Sequence, residues 1–115
     1  MNEVRKKRLE IQMVKELSQL ILKRRTKDER IGLVSVTRVD LTPDLSYATV
    51  FISPFGTEEE NRATWHGMVS GLNFFQSTMS RNLRLRQTPH LRLEIDNSIR
   101  EGDRILGLME SNGDK

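Results

Sequence analysis

The 115-residue sequence contains no cysteine. That excludes a disulfide frame, a thiolate zinc site and a thiol nucleophile. Histidine is almost as scarce: His66 and His90 are the only two. His66 adjoins Trp65 in a helical stretch, and His90 follows Pro89. Neither has a second ligand at metal-binding spacing. No phosphate loop of the form G-x-x-x-x-G-K-S/T occurs, and no G-x-G-x-x-G. No enzyme is expected, and no cofactor or metal. No apolar run approaches the ~20 residues that cross a bilayer. The basic run from Arg5 to Arg8 is not followed by the apolar stretch of a signal peptide. The expectation is a soluble cytoplasmic protein, free of the membrane and monomeric when alone.

Charge is present but unevenly spread. The net charge is only +3. Residues 1–30 hold ten basic and five acidic side chains, and residues 61–92 hold five and none. Acidic blocks lie between and after them. A single basic block is most simply a solvated helix face. Two that fold together form the footprint of a polyanion-binding surface.

Residues 3–25 have no Gly or Pro and are rich in good helix formers, so one long helix is predicted. Its periodicity puts Ile11, Val14, Leu17, Ile21 and Leu22 on the core face. Arg5, Arg8, Gln12, Lys15, Gln19 and Lys23 fall opposite. Lys23, Arg24, Arg25 and Lys27 complement the dipole at its C-terminus. Residues 33–41 and 45–55 read as strands joined by the turn Thr42-Pro43-Asp44. The alternation changes phase between Val36 and Val39, which a bulge near Thr37 and Arg38 would reconcile. Thr57 and Glu60 form a capping box ahead of a second helix with Trp65, Met68, Val69 and Leu72 on one face. Gly71 and Asn73 predict a kink, since Gly weakens a helix interior and Asn tolerates the left-handed region. A third helix then runs from Phe74 to about Arg86, burying Phe75, Met79 and Leu83. Leu91, Leu93 and Ile95 alternate with Arg92, Glu94 and Asp96 in a third strand. A short helix after Ser98 is also predicted. The fold class is α+β, in the order α-β-β-α-kink-α-β. A three-stranded sheet carries helices on one face. The third strand's place in it stays open.

The candidate RNA-binding set is Arg5, Arg8, Lys15 and Lys23 from the first helix with Arg81, Arg84, Arg86 and Arg92 from the third helix and third strand. Arginine forks grip phosphate bidentately. Double-stranded RNA is read largely through shape, phosphate and 2′-hydroxyl contacts, for which such a patch suffices. Tyr47 and Phe51 could stack on bases, or could pack beneath the C-terminal segment. The competing class is a protein-interaction or ligand-sensing domain that dimerises through its sheet.

Several strings carry a family resemblance. They are Lys27-Asp28-Glu29-Arg30-Ile31-Gly32, then Val34-Ser35-Val36-Thr37-x-Val39, then residues 44–53, Asp-Leu-Ser-Tyr-Ala-Thr-Val-Phe-Ile-Ser. Last comes Leu83-Arg84-Leu85-Arg86-x-x-Pro89-x-Leu91, running on to Asp96-x-Ser98 and Gly102. In this order and spacing the chain resembles bacterial ribosome-binding factor A over residues 2–106. The resemblance implies a type II KH-like domain over 1–106, with 107–115 as a tail. It implies a non-enzymatic factor that binds the small (30S) ribosomal subunit, its precursors and 16S rRNA in late maturation. It also implies an Ala-x-Gly interhelical kink in place of the usual KH loop. Here that kink falls on Gly71-Leu72-Asn73, with Gly for Ala and Asn for Gly. Glu29 replaces a usual Pro. His90 replaces a common Glu, which removes a negative charge near Arg86 and Arg92.

Overall fold

The computed structural model describes residues 2–97. The predicted helix after Ser98, the boundary at 106 and the tail lie outside the described residues.

Helix α1 spans Glu3–Arg25. Asn2 caps it, accepting the Arg5 N–H at 2.9 Å. Strands β1 (Val34–Leu41) and β2 (Tyr47–Pro54) form an antiparallel hairpin. Helices α2 (Glu58–Ser70) and α3 (Leu72–Asn82) then cross over to β3 (His90–Ile95). β3 pairs with β2 in parallel, giving the order β1-β2-β3. A parallel pair needs a crossover connection, and α2 with α3 supplies it. The capping box forms as read: Thr57 Oγ1 accepts from Glu60 N–H at 3.1 Å, and Glu60 Oε1 accepts from Thr57 N–H at 2.8 Å.

The core lies between one face of the sheet and the helices. Met13, Leu17, Leu20 and Ile21 of α1, Met68 of α2 and Phe75 and Met79 of α3 cover Val36, Val39, Leu41, Ala48, Val50, Ile52 and Leu91. Val36 and Val39 are three apart yet share the buried face. The register shifts between Val36 and Arg38 and leaves Thr37 unpaired. This is the predicted bulge, and it turns the phase change into a continuous core strip. The Thr37 hydroxyl bonds the Asp96 carboxylate and the Phe51 carbonyl. Asp96 is therefore buried, where alternation had put it outside.

Three expectations need correction. The core face of α1 is rotated: Ile11 and Leu22 are more than half exposed, while Met13, Leu20 and Glu10 are buried. Glu10 stays buried because its Oε2 accepts the Leu41 N–H at 2.8 Å and lies 3.6 Å from Lys6 Nζ. On α2, Val69 is exposed, and Thr64 and Gly67 take the buried side with Met68. Thr64 Oγ1 accepts the Gly32 N–H at 2.9 Å. Finally, α3 ends at Asn82, four residues before the predicted Arg86.

Candidate nucleic-acid interface

Helices α1 and α3 run antiparallel. The start of α1 meets the segment after α3, since Leu9 shares a cavity with Leu85. Midway, the Asn82 amide donates to Glu16 Oε2 at 2.6 Å. At the far end the Arg24 guanidinium lies 5.5 Å from the Phe74 ring centroid. The two basic blocks are thus folded side by side. Arg5, Arg8, Lys15 and Lys23 are exposed on α1, and Arg81, Arg84 and Arg86 are exposed along the end of α3 and the loop beyond. At 3.6 residues per turn, Arg5 and Lys23 share the edge of Glu16 that faces α3. Arg8 sits on the crest. Lys15 turns toward β1 and helps line a cleft of about 390 Å³ there. Among the described residues none of these seven cations makes an ion pair. The lysines paired on α1 are Lys6 and Lys7, both with Glu10.

The helix-to-strand junction is rigidly held. Arg84 has φ 55°, in the left-handed region that normally calls for Gly. Its N–H donates to Arg81 O at 3.1 Å, and the Leu85 N–H to Ser80 O at 2.9 Å. This is a Schellman termination with arginine at the glycine position. Beyond it, the Ser80 and Thr88 hydroxyls bond at 2.7 Å, Pro89 is fully buried, and Gln76 Oε1 accepts the Leu91 N–H at 2.9 Å. Arg84 and Arg86 therefore project from a fixed backbone.

At the kink, the break is Gly71 alone, with φ −88° and ψ 1°. Leu72 and Asn73 are already the first turn of α3, so Asn73 does not use the left-handed region. A Cβ on Gly71 would meet Phe75 at 3.1 Å and Arg24 Nε at 3.3 Å. Arg24 thus reaches the kink from α1. Its Nε and that of Arg25 are buried without a hydrogen-bond partner among the described residues. Neither residue stood in the candidate set. Their charge was assigned to the helix dipole, and the contact with Phe74 joins positions too far apart for local periodicity to reveal.

Arg92 stands apart from the other seven. It projects from the sheet face opposite the helices, with its guanidinium 3.9 Å from the Tyr47 ring centroid. The His90 ring, paired across the strands with Tyr47, is also close to it, ring centroids 5.7 Å apart. Arg38 covers Phe51 in the same way, at 3.9 Å. Each pair is worth about 0.5–1 kcal/mol at such exposure. His66 is exposed on α2.

The profile of the ribosome-binding factor A family matches residues 5–109. The chain belongs to the ribosome-binding factor A family. A curated relative named ribosome-binding factor A, from Dictyoglomus thermophilum, is 37% identical over 110 residues, covering 95% of this chain and 91% of the relative. Among solved structures, the crystal structure of ribosome-binding factor A from Thermus thermophilus matches with a TM-score of 0.68 at 24% identity, over 78% of this chain and 94% of that one. Coordinates of the Thermus thermophilus factor fitted into a cryo-EM map of a 30S complex match with a TM-score of 0.65 at 25% identity, over 81% of this chain and 97% of that one. The parallel β2–β3 pair, the α2–α3 kink and these neighbours agree with the KH-like architecture that the resemblance implied. Arg84, Leu85 and Pro89 of the resembling strings build the junction described above.

Proposed function

We propose that this protein is an assembly factor that binds the small ribosomal subunit through 16S rRNA during late maturation. It acts by binding, without catalysis, as a free monomer in the cytoplasm. One observation carries the reading: Arg5, Arg8, Lys23, Arg81, Arg84 and Arg86, exposed and without ion pairs among the described residues, lie along the antiparallel α1/α3 ridge and its rigid end, with Lys15 on the β1 side of α1. Family membership supports it, as does the fold neighbour fitted into a 30S complex. A sheet-to-sheet dimer is disfavoured, because Arg38 and Arg92 already cover the aromatic rings of that face.

The test is sedimentation of the purified protein with small subunits and their precursors. Binding is expected at low salt and should weaken as salt rises. The variant Arg81→Glu/Arg84→Glu/Arg86→Glu is expected to lose at least about a hundredfold in affinity. Its melting curve should remain cooperative. Undiminished binding by that variant removes the junction from the interface.

A further inference from the structure

Two residues other than glycine have positive φ among those described: Leu45 at 63° and Arg84 at 55°. They lie 39 positions apart in sequence, yet both line one cavity of about 350 Å³. Left-handed conformations cost about 1–3 kcal/mol each and persist where the surroundings impose them, often at ligand sites. Leu45 is imposed by its turn, whose N–H donates to Thr42 O at 2.9 Å. Arg84 is imposed by the Schellman bonds. The two strained positions thus present one side chain each to the same space.

The cavity's walls come from three separate segments: Leu9 of α1, Leu45 of the hairpin turn and Pro89 before β3. They are apolar. Leu41 and Leu85 add to them, and Arg84, Arg86 and Gln87, all three exposed, complete the lining. Neither arginine makes an ion pair among the described residues, and the Gln87 amide makes no hydrogen bond there. The space is of the size that small-molecule sites adopt. Its chemistry combines aliphatic walls, one amide that both donates and accepts, and two cations at the mouth. An apolar protein side chain would use the walls and leave the amide and both cations without a role. A nucleotide uses all three: flat apolar faces, a hydrogen-bonding edge and anionic phosphates. RNA is read by sequence mainly where bases are unstacked and splayed out.

We propose that this cavity takes one unstacked nucleobase of RNA, with the flanking phosphates held by Arg84 and Arg86. Gln87 reads the edge of the base. The proposal rests on the RNA-binding reading above, and deepens it from shape and charge to a nucleotide-sized subsite.

The test compares two RNA hairpins of identical stem, one with a single bulged nucleotide and one fully paired. The wild-type protein is expected to bind the bulged hairpin about tenfold more tightly, the scale of one buried anchor group. Leu9→Trp fills the cavity and should bring the ratio of the two affinities to about one. Gln87→Ala, on the exposed loop, should reduce that ratio about threefold, and it stands as the test if Leu9→Trp melts early. Equal wild-type affinities for the two hairpins overturn the subsite and leave the RNA reading intact. Binding to neither hairpin, nor to small subunits, overturns both. An unchanged ratio in the variants also overturns the subsite. So does a loss of small-subunit binding by Leu9→Trp with no wild-type bulge preference, which would give the cavity to a protein side chain.

Discussion

Arg84 sits where a helix termination favours glycine, so its side chain is kept at a cost to stability. Arg84→Gly should raise stability by about 0.5–1 kcal/mol, the left-handed strain relieved less the added entropy of the unfolded chain. Thermal or urea melting reads that gain, and small-subunit binding should weaken in the same variant. A stabilised variant with full binding would mean that the arginine has no part in the interface. Leu45 is the opposite case. Its side chain packs against the core, and its turn is braced by Asp44, whose carboxyl is held below its usual range by hydrogen bonds from Ser46 and Thr42. Leu45→Gly removes strain but also removes that packing, and should destabilise by about 1–2 kcal/mol net. Asp28 offers a pH test. The Arg30 guanidinium, bonded to it at 2.8 Å and 3.0 Å, holds its pKa near about 2. A lowered folded-state pKa gives stability that is complete above pH about 4 and fades as pH falls towards about 2. The difference in melting temperature between wild type and Asp28→Asn should therefore shrink over that interval. Neither left-handed residue was legible beforehand. Leu and Arg carry no left-handed signal of their own, and Leu45 was read as the start of a strand.

Element by element, the helices and strands were legible wherever local chemistry is decisive. The Thr57/Glu60 box, the α1 limits and the bulge at Thr37 all follow from short-range patterns. The orientation of α1 was not legible, because a charged residue lies on its core side. Glu10 is buried by Leu41, a residue 31 positions away. A face drawn through the apolar residues alone leaves Glu10 out and swings toward Ile11 and Leu22. Replacing Glu10 with Ala leaves the Leu41 N–H buried without its acceptor and should cost about 1–3 kcal/mol. Gln, which can keep accepting, should cost less; chemical denaturation of the two variants reads the difference. Gly67 shows a second long-range constraint. A Cβ there would lie 2.6 Å from Cγ1 of the buried Ile31. Gly67→Ala should destabilise by about 1–3 kcal/mol through that overlap. Gly71→Ala should be milder, since its closest contact would be 3.1 Å.

For the whole molecule, the proposal turns on which face would meet RNA. Two basic blocks were visible in the sequence, but their joining was not, because the antiparallel pairing of α1 with α3 depends on contacts such as Asn82 with Glu16. The sequence also grouped Arg92 with the other arginines by proximity to Arg86. Strand alternation, once β3 is in the sheet, sends Arg92 through to the opposite face from the buried Leu91. The ridge and the open sheet face therefore make separable predictions. Each phosphate contact contributes about 0.7–0.9 to the slope of log K against log salt. Reversing Arg81, Arg84 and Arg86 together should reduce that slope by about 2–3, measured by sedimentation with small subunits between about 50 and 200 mM salt. Arg92→Glu gives up the stack on Tyr47, worth about 0.5–1 kcal/mol of stability. It should leave the slope where it was, because its guanidinium faces away from the ridge. If Arg92→Glu lowers the slope as much as a ridge reversal does, RNA wraps both faces of the sheet, and the helical ridge alone is too small an account of the interface.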